Sequence, residues 1–303
     1  MVTPHKIQTR RDIVKPLQYT SEGDTVATPT DFGVLPAGPS LAMTALGHVR
    51  DLTLQPDVQR IDTEVLGSED IVNAILTGKL YSFQVVYEPT DEAMIAVGCN
   101  AQSGVGTIAE SYRFMFSELI DGVENFTNMI GCRPTNTQCR LNQGVWEVTQ
   151  TWVCKQITVP NATDPMVGST PSYVTEPTAS SISHSAVQDH FSYNAVTYPD
   201  TNFSLNVTRN LATETVNGET LIVYTAPVSR EVEFTLETYV KANTLETEFE
   251  SVTERASVYK FDATIDFTFT NCVISSFSRA KSSSGTDAYK ENITVRAEGV
   301  TVA

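Results

Sequence analysis

The chain has few cysteines and no cluster of metal ligands. Its 303 residues include five cysteines and four histidines, and no Cys-x-x-Cys pair occurs. Disulfide frameworks need many cysteines, usually in an even number, and structural zinc sites need closely spaced ligand pairs. The scarcity therefore excludes a disulfide-stapled scaffold, and we expect no metal site.

Positive charge is also scarce. Twenty Lys and Arg residues stand against 36 Asp and Glu residues, a net charge of −16 that is spread along the whole chain. Duplex binding needs clustered cations, so this composition argues against a nucleic-acid-binding surface. No apolar run approaches the roughly 18 residues of a membrane-spanning helix, and we expect no secretory signal at the amino terminus.

Catalytic motifs are missing as well. Residues 98–104 are glycine-rich, but no Gly-Lys-Ser/Thr follows them to complete a phosphate-binding loop. Asp262 and Asp266 lie on one predicted strand at a separation of about 13 Å, too far apart for a retaining carboxylate pair. Trp146 and Trp152 share one face of a strand and are expected to pack in the core. The sequence therefore predicts no enzyme, no catalytic residue and no cofactor.

The chain is rich in the alternation that is typical of β-strands. In residues 259–270, apolar side chains at odd positions alternate with polar ones at even positions. Residues 202–208 and 231–237 show the same period of two, which predicts strands with one buried and one wet face. Two short segments have helical signals instead, residues 68–78 and residues 243–252, each with a capping residue and an acidic first turn.

Turn signals separate the strands. Asp121-Gly122 and Asn217-Gly218 are type I′ hairpin dipeptides, and residues 142–144 suit a three-residue hairpin loop.

The loop at residues 142–144 has a consequence for two cysteines. In that hairpin Leu141 pairs with Val145, and the same register brings Cys132 opposite Cys154. A cross-strand disulfide between these two cysteines is therefore predicted, provided that the register survives Pro134.

Two irregular segments divide the chain. Residues 1–45 and 160–188 are rich in Pro, Ser and Thr and have little periodic apolar pattern. The predicted organisation is an N-terminal arm (1–45), a first β domain (46–159), a linker or arm (160–188) and a second β domain (189–303). Because neither arm carries enough apolar surface to fold alone, we expect both to dock on neighbouring subunits.

Several short segments, taken in order, resemble the two-domain major tail tube proteins of tailed viruses, which occur in long-tailed bacteriophages and archaeal tailed viruses. The similarity extends from about residue 30 to the carboxyl terminus. Its segments are residues 32–49, 64–78, 129–148, 202–211, 230–237 and 291–300.

The resemblance implies a fold and a structural role. The expected fold is mainly β, with two tail-tube-type β-sandwich domains that each carry one short helix. Inner strands would join across subunits into a closed β-barrel, and rings would stack into a virion tail tube that delivers DNA into the host cell. The implied partners are other copies of the chain, as trimeric pseudo-hexameric rings or as hexamers, and other tail proteins. The chain would be made in the host cytoplasm, would end in the virion, and would need no membrane.

A tube that conducts DNA must not bind it. The wet faces of the strongest strands are therefore the candidates for the lumen, since acidic and hydroxyl groups give phosphate no cationic foothold. These residues are Glu231, Glu233, Glu237, Asp262, Thr264, Asp266 and Thr268.

Two other classes of protein fit parts of the sequence. An extracellular β-sandwich adhesin or surface-layer protein would suit the acidity and the five Asn-x-Ser/Thr sequons. A polysaccharide-active enzyme would need a carboxylate pair beside aromatic platforms, and no such arrangement is evident.

Overall fold

The structure is a computed structural model that describes most of the chain. The described residues are 13–22, 43–64, 71–101, 111–142, 144–158, 160–163, 173–174, 179–182, 190–214, 224–240, 244–262, 265–280 and 290–303.

The fold is mainly β, as predicted, with sixteen strands and two short helices among the described residues. The first half contains β1 (Ile13–Ser21), β2 (Thr44–Ala45), β3 (His48–Glu64), β4 (Ile71–Glu88), α1 (Ala93–Cys99), β5 (Tyr112–Ile120), β6 (Val123–Asn142), β7 (Val145–Cys154) and β8 (Gln156–Ile157). The second half contains β9 (Phe191–Tyr193), β10 (Val196–Tyr198), β11 (Asp200–Glu214), β12 (Tyr224–Tyr239), α2 (Thr244–Ser251), β13 (Arg255–Lys260), β14 (Asp266–Ala280), β15 (Lys290–Ala297) and β16 (Gly299–Val302). We call these two sets of elements the first unit and the second unit.

One antiparallel sheet runs through both units in the order β3-β4-β7-β6-β11-β12-β15-β14, and we call it the large sheet. The long strands β6 and β14 also reach into smaller sheets, where their first halves pair with β5 and β8 and with β13 and β16. In each unit, side chains of the large sheet pack against those of a small sheet, as Phe83 on β4 does against Phe114 on β5 and Phe203 on β11 does against Tyr259 on β13. The described strands do not close into a barrel within one chain.

The second unit repeats the strand pairing of the first. Seven antiparallel strand pairs in the first unit each have a counterpart in the second unit, with strand numbers higher by eight. For example, β1–β2 corresponds to β9–β10, and β3–β4 corresponds to β11–β12. Between the described strands of the two units, one further pair, β6 with β11, joins them edge to edge.

Register shifts recur at equivalent positions too, which makes the two units comparable residue by residue. Four shifts in the first unit each have a counterpart in the second. The matched pairs are Val49/Asp51 with Asp200/Asn202, Gln59/Arg60 with Asn210/Leu211, Tyr112/Phe114 with Arg255/Ser257, and Pro134/Asn136 with Ile274/Ser276.

One apolar core extends through both units. Trp146 of β7 stacks on Phe261 at 4.0 Å between ring centroids, and it lies edge-on to Phe203 and Tyr259. Its Nε1 donates to the Phe261 carbonyl oxygen at 2.7 Å. Trp152 is also fully buried, so the prediction that both tryptophans pack in the core is confirmed.

The predicted alternation is confirmed on β11 and β12. Their apolar residues are buried while their polar neighbours are exposed or half-buried. The buried residues are Phe203, Leu205, Val207, Val232, Phe234 and Leu236.

The predicted helix at residues 243–252 is confirmed as α2, whereas the one at residues 68–78 is wrong. Residues 71–78 form the first part of β4 and pair with β3. The apolar spacing of so short a segment does not distinguish helix from strand, and pairing along a long hairpin decides between them. The first unit's helix is α1, where the Asp91 carboxylate accepts a hydrogen bond from the Ala93 N–H at 3.0 Å.

The prediction of a single strand over residues 259–270 is wrong as well. The chain turns between β13 and β14, with Tyr259 opposite Phe267, and the Asp262 carboxylate accepts a hydrogen bond from Ile265 N–H at 2.7 Å. The alternation continued through the turn because Phe261 and Ile265 are buried on the same side as the strand residues.

The hairpin turns agree with the sequence except in one register. Asp121 and Gly122 both have positive φ, as a type I′ turn requires. Between β6 and β7, Leu141 pairs with Trp146 instead of Val145, which leaves a two-residue loop. Asn217-Gly218 lies outside the described residues.

Parts of the predicted arms pack on their own chain. Within residues 1–45, β1 pairs with β5, and Leu17 and Tyr19 are buried in the core. In the linker, Ile182 N–H donates to the Pro89 carbonyl at 2.8 Å, and Asn161 bridges to Phe126. Docking of these segments on neighbouring subunits and the two-domain division stay predictions.

Candidate assembly interface

The joint between the two units is a short antiparallel ladder from Ser204 opposite Arg140 to Thr208 opposite Asn136. On its core side, Leu205, Cys139, Val207 and Thr137 are all fully buried. On its other side, the Asn136 amide donates to Asn206 Oδ1 at 2.8 Å and to Thr208 Oγ1 at 3.1 Å. The joint therefore has an apolar side and a hydrogen-bonded polar side.

Two arginines of the second unit hold the end of α1. Arg209 donates to the carbonyl oxygens of Val97 and Asn100 at 3.1 and 2.5 Å, and Arg230 donates to that of Cys99 at 2.6 Å. The last carbonyls of a helix lack partners within it and carry partial negative charge, so cations stabilise them. Burial lowers the pKa of Arg209 to about 10.

Asn100 adds a reciprocal contact to the carboxyl-terminal strand. Its side-chain oxygen accepts from Val302 N–H at 2.6 Å, and its amide donates to the Val302 carbonyl at 3.3 Å. The first unit's helix is therefore fixed onto the second unit by main-chain and side-chain bonds together.

The large sheet ends in two edges among the described strands. At one edge β3 pairs with β4, and at the other the second half of β14 pairs with β15. Leu52 and Leu54 on β3 and Phe277 on β14 are only half-buried, although they pack against the core. Phe277 stacks on Phe249 of α2 at 6.0 Å. Apolar side chains thus lie on strand edges that have no further sheet partner among the described residues.

The outer face of the large sheet, opposite the core, is polar. It carries amide and hydroxyl side chains together with ion pairs such as Arg296–Glu233 at 3.3 Å and Lys290–Glu237 at 2.7 Å. A shallow groove of about 560 Å³ on this face lies beside Asn206 and Glu231. Three of the predicted lumen residues, Glu231, Glu233 and Glu237, are on this face, and cations pair with Glu233 and Glu237.

A second group of ion pairs lies on the β4 and β7 part of this outer face. Arg50 and Arg140 both contact the Glu147 carboxylate, and Arg50 also contacts Glu88. A hydrogen bond from Ser181 at 2.7 Å, together with Arg50, lowers the pKa of Glu88 below 4.5. The outer face is therefore charged but nearly balanced.

The other predicted lumen residues lie elsewhere. Asp262 is half-buried in the turn before β14, while Asp266 and Thr268 lie on the part of β14 that pairs with β13 and β16 in the small sheet. Thr264 is outside the described residues. The structure therefore does not bring the two predicted groups onto one sheet, and which residues line a lumen stays a prediction.

Cys132 and Cys154 contact each other, with 3.0 Å between their sulfur atoms as free thiols. The register at the β6–β7 turn is one residue away from the predicted one, and the bulge between Pro134 and Asn136 corrects it before Cys132 is reached. Burial and the neighbouring Cys154 raise the pKa of the Cys132 thiol. The disulfide itself stays a prediction.

Sequence reasoning missed a buried ion pair that anchors β1. Glu22 is 2% exposed and accepts from Arg113 Nε at 3.1 Å, Ser111 Oγ at 2.6 Å and Gly131 N–H at 3.1 Å. It also missed Arg209 and Arg230. A charged residue at an inward position of an alternating strand is the signal that marks Arg209, because it interrupts the apolar series.

Comparisons with known proteins do not identify a function for the chain. No protein-family model matches the chain, and no curated protein is significantly similar to it. Within the part of the chain that the structure describes, no three His, Cys, Asp or Glu side chains are grouped to hold a metal. No helix in that part is long and apolar enough to cross a membrane.

Proposed function

We propose that the chain is a structural subunit of a virion tail tube, which polymerises as stacked rings into a hollow conduit for DNA. The observation that carries the proposal is the repeat. Two units with the same strand pairing and four matching register shifts are joined edge to edge by unlike edges, β6 and β11. Because the joint pairs two different edges, the joined sheet still has one edge of each kind at its two ends. The same joint can therefore form between successive copies until a ring closes.

The number of strands suits a ring of three chains. Eight strands per copy make 24, and at a spacing near 4.8 Å and a tilt near 40° such a barrel is about 48 Å across between backbones. Two copies would give about 32 Å by the same geometry. Side chains occupy about 5 Å of each wall, which leaves about 38 Å free in the larger ring and about 22 Å in the smaller one. The larger ring therefore gives a DNA duplex the wider clearance.

The chemistry of the outer face suits a lumen. Amides, hydroxyls and paired charges such as Arg296–Glu233 offer a duplex few unpaired cations, and phosphate contacts dominate non-specific binding to DNA. The large sheet has the apolar core on one side and this polar surface on the other. In a tube wall, the core side would carry the packed exterior layer and the polar side would face the lumen.

Electron microscopy and native mass spectrometry of the purified full-length chain test the proposal. Rings or hollow filaments built from three chains per ring are the expected result. Monomers at all concentrations, or a flat lattice, would contradict a tube and favour the adhesin or surface-layer alternative. Rings of six or more chains would contradict the stoichiometry alone.

A further inference from the structure

We propose that β14 of one copy pairs antiparallel with β3 of the next copy, in the register that β6 and β11 have within one chain. The partner is a second copy of this chain, and the inference names the contact through which the proposed tube assembles, so it rests on the proposed function. Within one chain, β6 pairs with β11. The two outer edges of the large sheet, β14 and β3, are the equivalents of β6 and β11.

Equivalent register shifts fix which residues correspond. Asn136 follows the shift in β6 as Ser276 follows the shift in β14, so β6 maps onto β14. On the other edge, Leu54 lies opposite Phe83 as Leu205 lies opposite Phe234, so β3 maps onto β11.

Transferring the internal ladder then gives the intermolecular one. The pair Leu205–Cys139 becomes Leu54–Arg279, and Asn206–Gln138 becomes Gln55–Ser278. The full set of expected pairs is Thr53–Ala280, Leu54–Arg279, Gln55–Ser278, Pro56–Phe277 and Asp57–Ser276. Pro56 stands where the internal joint has Val207, so β3 lacks the one backbone N–H that Val207 carries.

Burial supports the same surface. At the internal joint Leu205 and Val207 are fully buried, whereas Leu54 on the open edge is half-buried. On the other edge, Phe277 is half-buried where its equivalent Thr137 is fully buried. A second copy in this register would cover Leu54 and Phe277, beside the Arg279 guanidinium that pairs with Glu291 and Glu246, and would give the edge strands backbone hydrogen-bond partners.

The same register also places residues of the next copy at the end of α2. Just as Arg209 and Arg230 of the second unit hold the end of α1, the next copy's equivalent positions would lie under the end of α2. These positions are Val58 and Lys79, which oppose each other in the β3–β4 pair. Val252, which follows α2 and is 70% exposed, would be covered in this arrangement.

Engineered cysteines test the register in the full-length chain. Gln55 and Ser278 are both exposed on the polar face, so Q55C/S278C should leave folding intact. Directly opposed residues have Cα atoms within the range that a disulfide needs, whereas diagonal neighbours exceed it. Oxidation with diamide should give a reducible ladder of covalent dimers and trimers, several-fold stronger than in the off-register control T53C/S278C.

Four further samples make each outcome decisive. The N206C/Q138C variant should crosslink within one chain, which verifies the chemistry at the internal joint. Each single variant should form no ladder, and a mixture of Q55C with S278C should stop at covalent dimers. Rings in the microscope with a ladder only from T53C/S278C, or with none, would overturn the register and leave the tube standing. Absence of any assembly would overturn the tube and this contact together.

Discussion

Trp146 should determine whether the two units unfold together. It belongs to β7 of the first unit, but its indole N–H donates to Phe261 and its ring stacks there at 4.0 Å, in the second unit. Replacing it with phenylalanine removes a buried hydrogen bond and leaves that carbonyl without its donor. An unsatisfied buried polar group costs about 1–3 kcal/mol, and a residual cavity of about 40 Å³ adds about 1 kcal/mol. We expect W146F to lose about 2–4 kcal/mol of unfolding free energy.

Trp152 provides the matched control. It is equally buried and sits on the same strand, but among the described residues its indole nitrogen has no hydrogen-bond partner. W152F therefore creates a similar cavity without breaking a hydrogen bond, and should cost about 1 kcal/mol.

Urea unfolding followed by circular dichroism measures both variants. With a slope of about 3 kcal/mol per molar urea, the midpoint of W146F should fall by about 1 M, in a single transition. Equal losses in the two variants would refute the role assigned to the hydrogen bond. A second transition that W146F leaves unmoved would show that the units unfold separately, contrary to a shared core.

Three other perturbations have definite expected results. E22Q should cost about 3–5 kcal/mol in urea unfolding, because it removes the carboxylate charge that the buried Arg113 guanidinium contacts; a loss under 1 kcal/mol would contradict this account. Mild oxidation should join Cys132 to Cys154, seen as a crosslinked peptide by mass spectrometry, and crosslinking of other cysteines first would argue against it. The depressed pKa of Glu88 contributes stability above about pH 4.5 that is lost as the pH falls. E88Q should therefore flatten the fall in melting temperature between about pH 5 and pH 3, and an unchanged slope would contradict this linkage.

Periodicity predicted the strands well wherever a sheet has one dry and one wet face. Phe203, Leu205 and Val207 are such a case, since burial alternates with sequence position there. Periodicity failed at the turn between β13 and β14, where Phe261 and Ile265 are buried like the strand residues around them. An alternation of buried and exposed residues does not show where the chain reverses direction. Periodicity failed again at residues 71–78, where pairing with the preceding strand β3 in a long hairpin outweighs local preference.

The candidate interface was less predictable than the strands. Similar element order in the two halves was visible in the sequence, but the equivalence rests on bulges, which depend on hydrogen-bond register and leave no consistent residue signature. The thiol contact illustrates this dependence. An expected turn one residue away from the observed one still led to the Cys132–Cys154 contact, because the bulge after Pro134 restored the register.

The β6–β11 joint also changes how assembly depends on concentration. Six separate units would have to meet for one ring, and each would lose its translational and rotational freedom on joining. Because one chain already carries two units bonded through five opposed residue pairs, half of the joints form within a molecule, where the effective concentration is on the order of millimolar. Nucleation of a ring of three then varies with about the third power of protein concentration instead of the sixth. In the proposed tube, a dilute pool of such subunits would therefore begin assembly at a concentration at which single-unit chains would not.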